Sequence, residues 1–264
     1  MTSYLTIAVY ACAWVYILDA LVRKKRELSS HLLLGIIAFG LLAHAATVYF
    51  SLVKPVGLEL GFFKVASLLF FVINLLVLIS SIRKPLHSLF VFLMPLSILG
   101  LIVSDIFDGP ITTGQSLDTG MVMHILLSIL AYSLLTIASI QALMLAYQNR
   151  QLKQKHFHGV MGVLPPLQTM ETLLFDLVWA GFLFLSLSIV TGVIYIEDIL
   201  AQQLSHKTVF SIASWVIYAI LLAGHQVYGW RGASAVRYVL GGFAALMLAY
   251  FGSKLVIEVI IGAA

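Results

Sequence analysis

Residues 172–196 read TLLFDLVWAGFLFLSLSIVTGVIYI, twenty-five positions that carry one charge, Asp176. A helix rises 1.5 Å per residue and the hydrocarbon core of a bilayer is about 30 Å thick, so about 20 such residues cross it. A membrane β-strand would alternate polar and apolar positions. This run does not, so it predicts a spanning helix. Seven further stretches read the same way: Ser3–Val22, His31–Val53, Phe62–Ile82, Ser88–Ser104, Thr119–Tyr147, Thr208–Tyr228 and Val236–Ile261. The fourth in chain order, Ser88–Ser104, is the shortest and contains Pro95. A proline is tolerated there if a neighbouring helix covers the carbonyl it frees. The expected fold is all-α, a polytopic membrane helix bundle of about eight transmembrane helices.

Composition agrees. Of 264 residues 61% are hydrophobic and 10% charged, against about 25% charged in soluble domains. Mean hydropathy is +1.06. The net charge of +4 does not point to nucleic acid, because the basic residues sit in small clusters between apolar runs. The lipid bilayer is the expected partner. Cys12 is the single cysteine, which excludes an internal disulfide, a CxxC pair and a covalent CxxCH haem attachment within this chain.

Alternate loops differ in charge. One side holds Arg23, Lys24, Lys25, Arg26, Arg83, Lys84, Arg150, Lys153, Lys155, Arg231 and Arg237, and the other Lys54, Lys64, Lys207 and Lys254. Basic loops face the cytoplasm, so both termini are expected outside it. The first basic cluster follows its apolar run, the reverse of a signal peptide, so a retained helix is expected.

An ionisable side chain inside a span is costly and marks a candidate site. Three of eight histidines lie within spans: His44, His124 and His225. His44 is flanked by Gly40, Ala43, Ala45 and Ala46, small residues that let a helix or flat ligand approach. His124 follows Asp118-Thr119-Gly120 in the outer half, with Ser128 and Tyr132 one and two turns on. His44 and His124 are expected at similar outer depth, where they could hold one metal centre. His225 lies near the cytoplasmic end, before Tyr228-Gly229-Trp230-Arg231, with His31 and His87 nearest to it in depth. The alternatives are a hydrogen bond to a neighbouring helix for His44 and interfacial anchoring for the other two. Imidazole is a good axial ligand for haem iron. A proton relay would use Asp or Glu alongside, and no span carries a carboxylate near its midplane. There is no Walker loop, HExxH or Gly-x-Ser-x-Gly, so an enzyme is not expected.

The back half contains Gly120-Met121-Val122-Met123-His124, Leu130-Ala131-Tyr132-Ser133, Met170-Glu171-Thr172-Leu173 and Ser188-Ile189-Val190-Thr191-Gly192. It continues through His225, Gly229-Trp230-Arg231-Gly232 and Tyr250-Phe251-Gly252. In this order, the pieces resemble the cytochrome c assembly family of membrane haem-handling proteins that includes CcsA, in its HemX-like or YpjD-like branch. The core of the resemblance is 119–262, within an expected single transmembrane domain of 1–264. Residues 1–104 resemble it more loosely, through Leu42-Ala43-His44-Ala45. The resemblance implies an external-side haem ligand at His124 and one within the membrane at His225. His44 rests on its place within a span and its small neighbours. It also implies non-covalent, b-type haem, a bacterial inner membrane, and partners among haem-pathway or cytochrome-maturation membrane proteins.

The chain departs from haem-presenting members. Residues Glu197 to Lys207 lack their tryptophan-rich external motif, and Lys254 to Ala264 lack a second external histidine. The expected function is therefore to bind or relay haem rather than offer it to an apocytochrome. The alternative is a scaffold or regulatory subunit without bound haem.

Overall fold

A computed structural model describes residues 2–22, 30–54, 57–59, 61–82, 89–107, 111–112, 119–154, 165–195 and 205–249. These form eight helices: α1 (Thr2–Val22), α2 (Ser30–Leu52), α3 (Phe62–Ser81), α4 (Phe90–Ile106), α5 (Thr119–Lys153), α6 (Leu167–Tyr195), α7 (Ser205–Tyr228) and α8 (Gly232–Met247). Each apolar run of the sequence is thus a helix where it is described, the last of them from Gly232 to Met247 with 250–261 outside the described residues, and the chain is a polytopic helical membrane protein. Among the described residues, six helices are long and apolar enough to cross a membrane, and α4 and α8 are shorter apolar helices. α5 runs on past its apolar stretch for 35 residues in all. Its tail, Gln148-Asn149-Arg150-Gln151-Leu152-Lys153, is rich in good helix formers, and Arg150 and Lys153 complement the negative end of the helix dipole.

The chain forms two compact units, Met1–Gln115 with Gln154–Pro165, and Ser116–Lys153 with Pro166–Ala264. In the first, α1 and α3 each pack against both α2 and α4. In the second, α5 and α7 each pack against both α6 and α8. Both are therefore closed rings of four helices. Along α2 the buried stripe is Leu33, Ile37, Leu41, His44 and Val48, at three- and four-residue spacing. The opposite face is equally apolar, with Leu42 71% exposed, as expected for a helix solvated by lipid.

Pro95 lies inside α4. Proline has no N–H to give to the carbonyl four residues back, which here belongs to Val91. Trp14 of α1 takes that place, its indole Nε1–H donating to Val91 O at 3.0 Å. The sequence expectation of a covered carbonyl is met by a named donor.

The all-helical reading did not foresee a small sheet. Strands β1 (Val53–Lys54), β2 (Gly57–Glu59) and β3 (Ile111–Thr112) pair antiparallel in that order, with Val53 opposite Leu58 and Leu58 opposite Thr112. It belongs to the first unit, where it carries the buried Glu59 carboxylate. Lys64 Nζ lies 3.8 Å and Lys54 Nζ 3.4 Å from that carboxylate. Lys64 is itself buried and donates to Ser104 O at 2.7 Å, in the last turn of α4 where carbonyls lack helical partners. By sequence Lys64 was one of four basic residues on the Lys-poor side, and the structure places it inside the protein.

Candidate haem-ligand histidines

His124 stands on α5, one turn from its start, against α6. Its Nδ1–H donates to Ser188 O at 2.9 Å. A carbonyl only accepts, so Nδ1 carries the proton and a neutral ring keeps its lone pair on Nε2. No described residue bonds Nε2. Ser128 donates to His124 O at 2.7 Å, and its Oγ also meets Ser188 Oγ at 2.7 Å. Two hydroxyls and two carbonyls thereby fix the α5–α6 register around the ring. Small residues make the approach feasible. A Cβ at Gly192 would come to 3.0 Å from His124 Cε1, and one at Gly120 would overlap the Tyr195 ring. The Gly120 and Ser188–Gly192 stretches singled out in the sequence are the two walls of this contact. Tyr132 Oη, two turns along α5, donates to Leu246 O of α8 at 2.9 Å.

His225 lies in the last turn of α7. Gly229 ends that helix in the left-handed region at φ 66°, and Gly232 opens α8 at φ 55°. Side chains with a Cβ rarely take that backbone, so both glycines are needed for the turn. Gly229 N–H donates to His225 O at 3.1 Å and Trp230 N–H to Gly224 O at 3.2 Å, closing the end of α7. The chain then folds back so that Trp230 O accepts from His225 Nδ1–H at 2.8 Å. Again Nε2 has no bond among the described residues. Phe175 of α6 stacks on the imidazole, with ring centroids 3.5 Å apart and planes 15° from parallel.

His44 is fully buried in the first unit. Tyr10 Oη meets its Nδ1 at 3.1 Å and Ser67 Oγ its Nε2 at 3.2 Å. The Tyr10 and Phe71 rings stand edge-on to it at 5.6 Å. Both nitrogens are engaged, and coordination of a metal would require one of those hydroxyls to leave.

His124 and His225 are not brought together. His124 bonds to Ser188 and His225 stacks on Phe175, thirteen residues apart on α6, which is about 20 Å along the helix axis. They are two sites at opposite ends of one bundle. No cluster of three or more His, Cys, Asp or Glu suited to a bare metal ion occurs among the described residues. A haem iron, already held by its porphyrin nitrogens, needs only one or two protein ligands, and lone imidazoles with a free Nε2 fit that requirement. His87, His156, His158 and Tyr250–Gly252 lie outside the described residues, as do the side chains of His31 and His206.

The sequence pattern of the cytochrome c assembly protein family matches residues 32–261, nearly the whole chain. The chain belongs to the cytochrome c assembly protein family. Within it, the chain is 32% identical over 204 residues to the inner membrane protein YpjD of Escherichia coli K12, covering 77% of each. It is 24% identical to the protein HemX of Brevibacillus brevis over 94% of this chain and 93% of that one. A shorter match, 21% identical over 52% of this chain and 38% of the relative, is to the cytochrome c biogenesis protein CcsA of Chlamydomonas reinhardtii. No solved structure matches. Membership in the cytochrome c assembly family ties the chain to haem handling in a membrane.

Proposed function

We propose that this chain is a non-enzymatic haem-binding protein of the bacterial inner membrane. It holds haem non-covalently, as b-type haem, through Nε2 of His124 and of His225. One observation carries this reading. In both histidines Nδ1–H is committed to a main-chain carbonyl, which fixes the tautomer and leaves the ligand nitrogen unprotonated. A merely structural histidine, such as His44, uses both nitrogens.

Bound haem would supply an iron, and His124 and His225 are the residues that would hold it through an imidazole nitrogen. This chain's residues do the rest. Ser188 and Trp230 hold the rings in orientation through their carbonyls, and Phe175 packs flat against His225. The excess of basic residues in alternate loops supports cytoplasmic placement of the His225 end. His124 then lies toward the outside, as do both termini, so the two ligands serve opposite faces of the membrane. That arrangement favours relaying or sensing haem. The lack of a tryptophan between Glu197 and Lys207 disfavours presenting it to an apocytochrome. Partners are sought among membrane proteins of haem synthesis and cytochrome maturation. His44 belongs to the hydrogen-bond network of the first unit, and its service as a third ligand would require release of Ser67 or Tyr10.

The visible spectrum of the purified protein tests the reading. A Soret band is expected, diminished in His124→Ala and in His225→Ala and lost in the double variant. A colourless protein from haem-replete cells that takes up no added haem would overturn it.

A further inference from the structure

Glu171 is the second residue of the Met170–Leu173 stretch on α6, and nothing in its sequence surroundings assigns it work. Its Oε1 accepts the N–H of Gly232 at 3.0 Å. Gly232 is the first residue of α8, whose leading N–H groups have no helical acceptors, so a carboxylate there meets both an orphan donor and the positive end of the helix. Arg231, the N-cap residue, has an extended backbone and makes no side-chain cap bond, so Glu171 supplies from α6 what the local sequence does not.

The bond matters for what lies two residues before it. Trp230 is the residue whose carbonyl orients His225, and it sits between Gly229 and Gly232, the two left-handed positions. Two backbone bonds to α7 hold the near end of this turn, but a turn with a glycine at each end is conformationally permissive, and its far end is fixed only by a contact from outside. Glu171 ties down the far end of the turn at Gly232. One helical turn further along α6, Phe175 lies flat on the His225 ring. Residues i and i+4 share a helix face, so α6 grips both the turn and the imidazole with one edge.

We propose that Glu171 is a positioning residue for His225, holding the Gly229–Gly232 turn so that the Trp230 carbonyl keeps His225 as its Nδ1–H tautomer with Nε2 free. The assignment rests on the haem-ligand reading of His225 for its purpose, but its physical content, the tautomer, can be measured without haem.

The test uses the full chain in lipid nanodiscs, with nitrogen-15 NMR of the imidazole reporting the tautomer and haem titration reporting affinity. Wild type and Glu171→Gln, which retains an acceptor oxygen, should show His225 protonated on Nδ1. Glu171→Ala should populate both tautomers and weaken haem at this site about tenfold or more, the usual effect of losing an outer-shell partner. Haem at His124 should be unaffected. Glu171→Asp, whose carboxylate is drawn back by one methylene, serves if the alanine variant does not fold, and should mix the tautomers as well. Wild-type tautomer and affinity in the Ala or the Asp variant would overturn the proposal, as would a Gln variant as impaired as Ala. If wild type takes up no haem, the ligand reading fails while the tautomer result still decides the role of Glu171.

Discussion

In the first four-helix unit, the buried imidazole of His44 has a hydroxyl on each nitrogen. In the second, His124 and His225 each give one nitrogen to a backbone carbonyl and keep the other unbonded by any described residue. Both units close into a ring of four helices, and both use an aromatic side chain of the first helix to reach a carbonyl of the fourth, Trp14 to Val91 and Tyr132 to Leu246. The difference lies in how far polar groups are satisfied. A hydroxyl can donate or accept, so one on each nitrogen, as Tyr10 and Ser67 provide, consumes the imidazole completely. A carbonyl takes only the proton-bearing nitrogen and leaves a ligand behind. One unit has its buried imidazole bonded on both sides, and the other leaves one nitrogen of each imidazole unbonded by any described residue.

Substitution at the histidines tests that contrast most strongly. His44→Ala should destabilise the protein by about 2–4 kcal/mol, because it opens a cavity and strands two buried hydroxyls. Thermal unfolding in detergent measures it, and the Soret band of whatever folds should be unchanged. His124→Ala and His225→Ala should show the reverse, losing absorbance with at most about 1–2 kcal/mol of stability. Loss of haem in His44→Ala at wild-type stability would break the comparison.

Next in size is Gly192→Val. Its added carbons enter a space where even a Cβ would stand 3.0 Å from the His124 ring. Overpacking of this kind costs about 1–3 kcal/mol, and the displaced ring should lose haem at its site, read as a reduced Soret band. Trp14→Phe follows, leaving Val91 O unpaired for about 1–2 kcal/mol. In a Pro95→Ala background the helix regains its own N–H donor, so the same substitution should then cost much less. Additive losses in that double-mutant cycle would separate Trp14 from the proline. Smallest is Ser128→Ala, at about 0.5–1.5 kcal/mol, with a slight shift in the Soret maximum as the α5–α6 register around His124 relaxes.

Much of the fold was legible because a continuous apolar run of twenty residues has few folded alternatives. The sheet was not, since strands as short as Val53–Lys54 and Ile111–Thr112 show no alternation. Lys64 looked like a loop cation because its partners, Glu59 and a carbonyl forty residues away, meet only once α3 and α4 are docked. The histidines could be singled out by position, but their tautomers could not. Ser188 and Trp230 act through main-chain oxygens, which every residue possesses and no sequence motif distinguishes. The saturation of His44 depends on the register of α1 against α2, so Tyr10 gave no warning of it. Glu171 was visible within a shared stretch, yet its role depends on a backbone N–H sixty-one positions later.

The pairing of Trp14 with Val91 also has a consequence in time. The donor and acceptor are separated by 77 residues of chain, so at about 5–20 residues per second the indole waits roughly 4–15 s of synthesis for its carbonyl. The corresponding bond of the second unit, Tyr132 to Leu246, spans 114 residues and forms only when α8 has emerged. All four helices of the first bundle are therefore made before the helices that carry His225 and its turn exist.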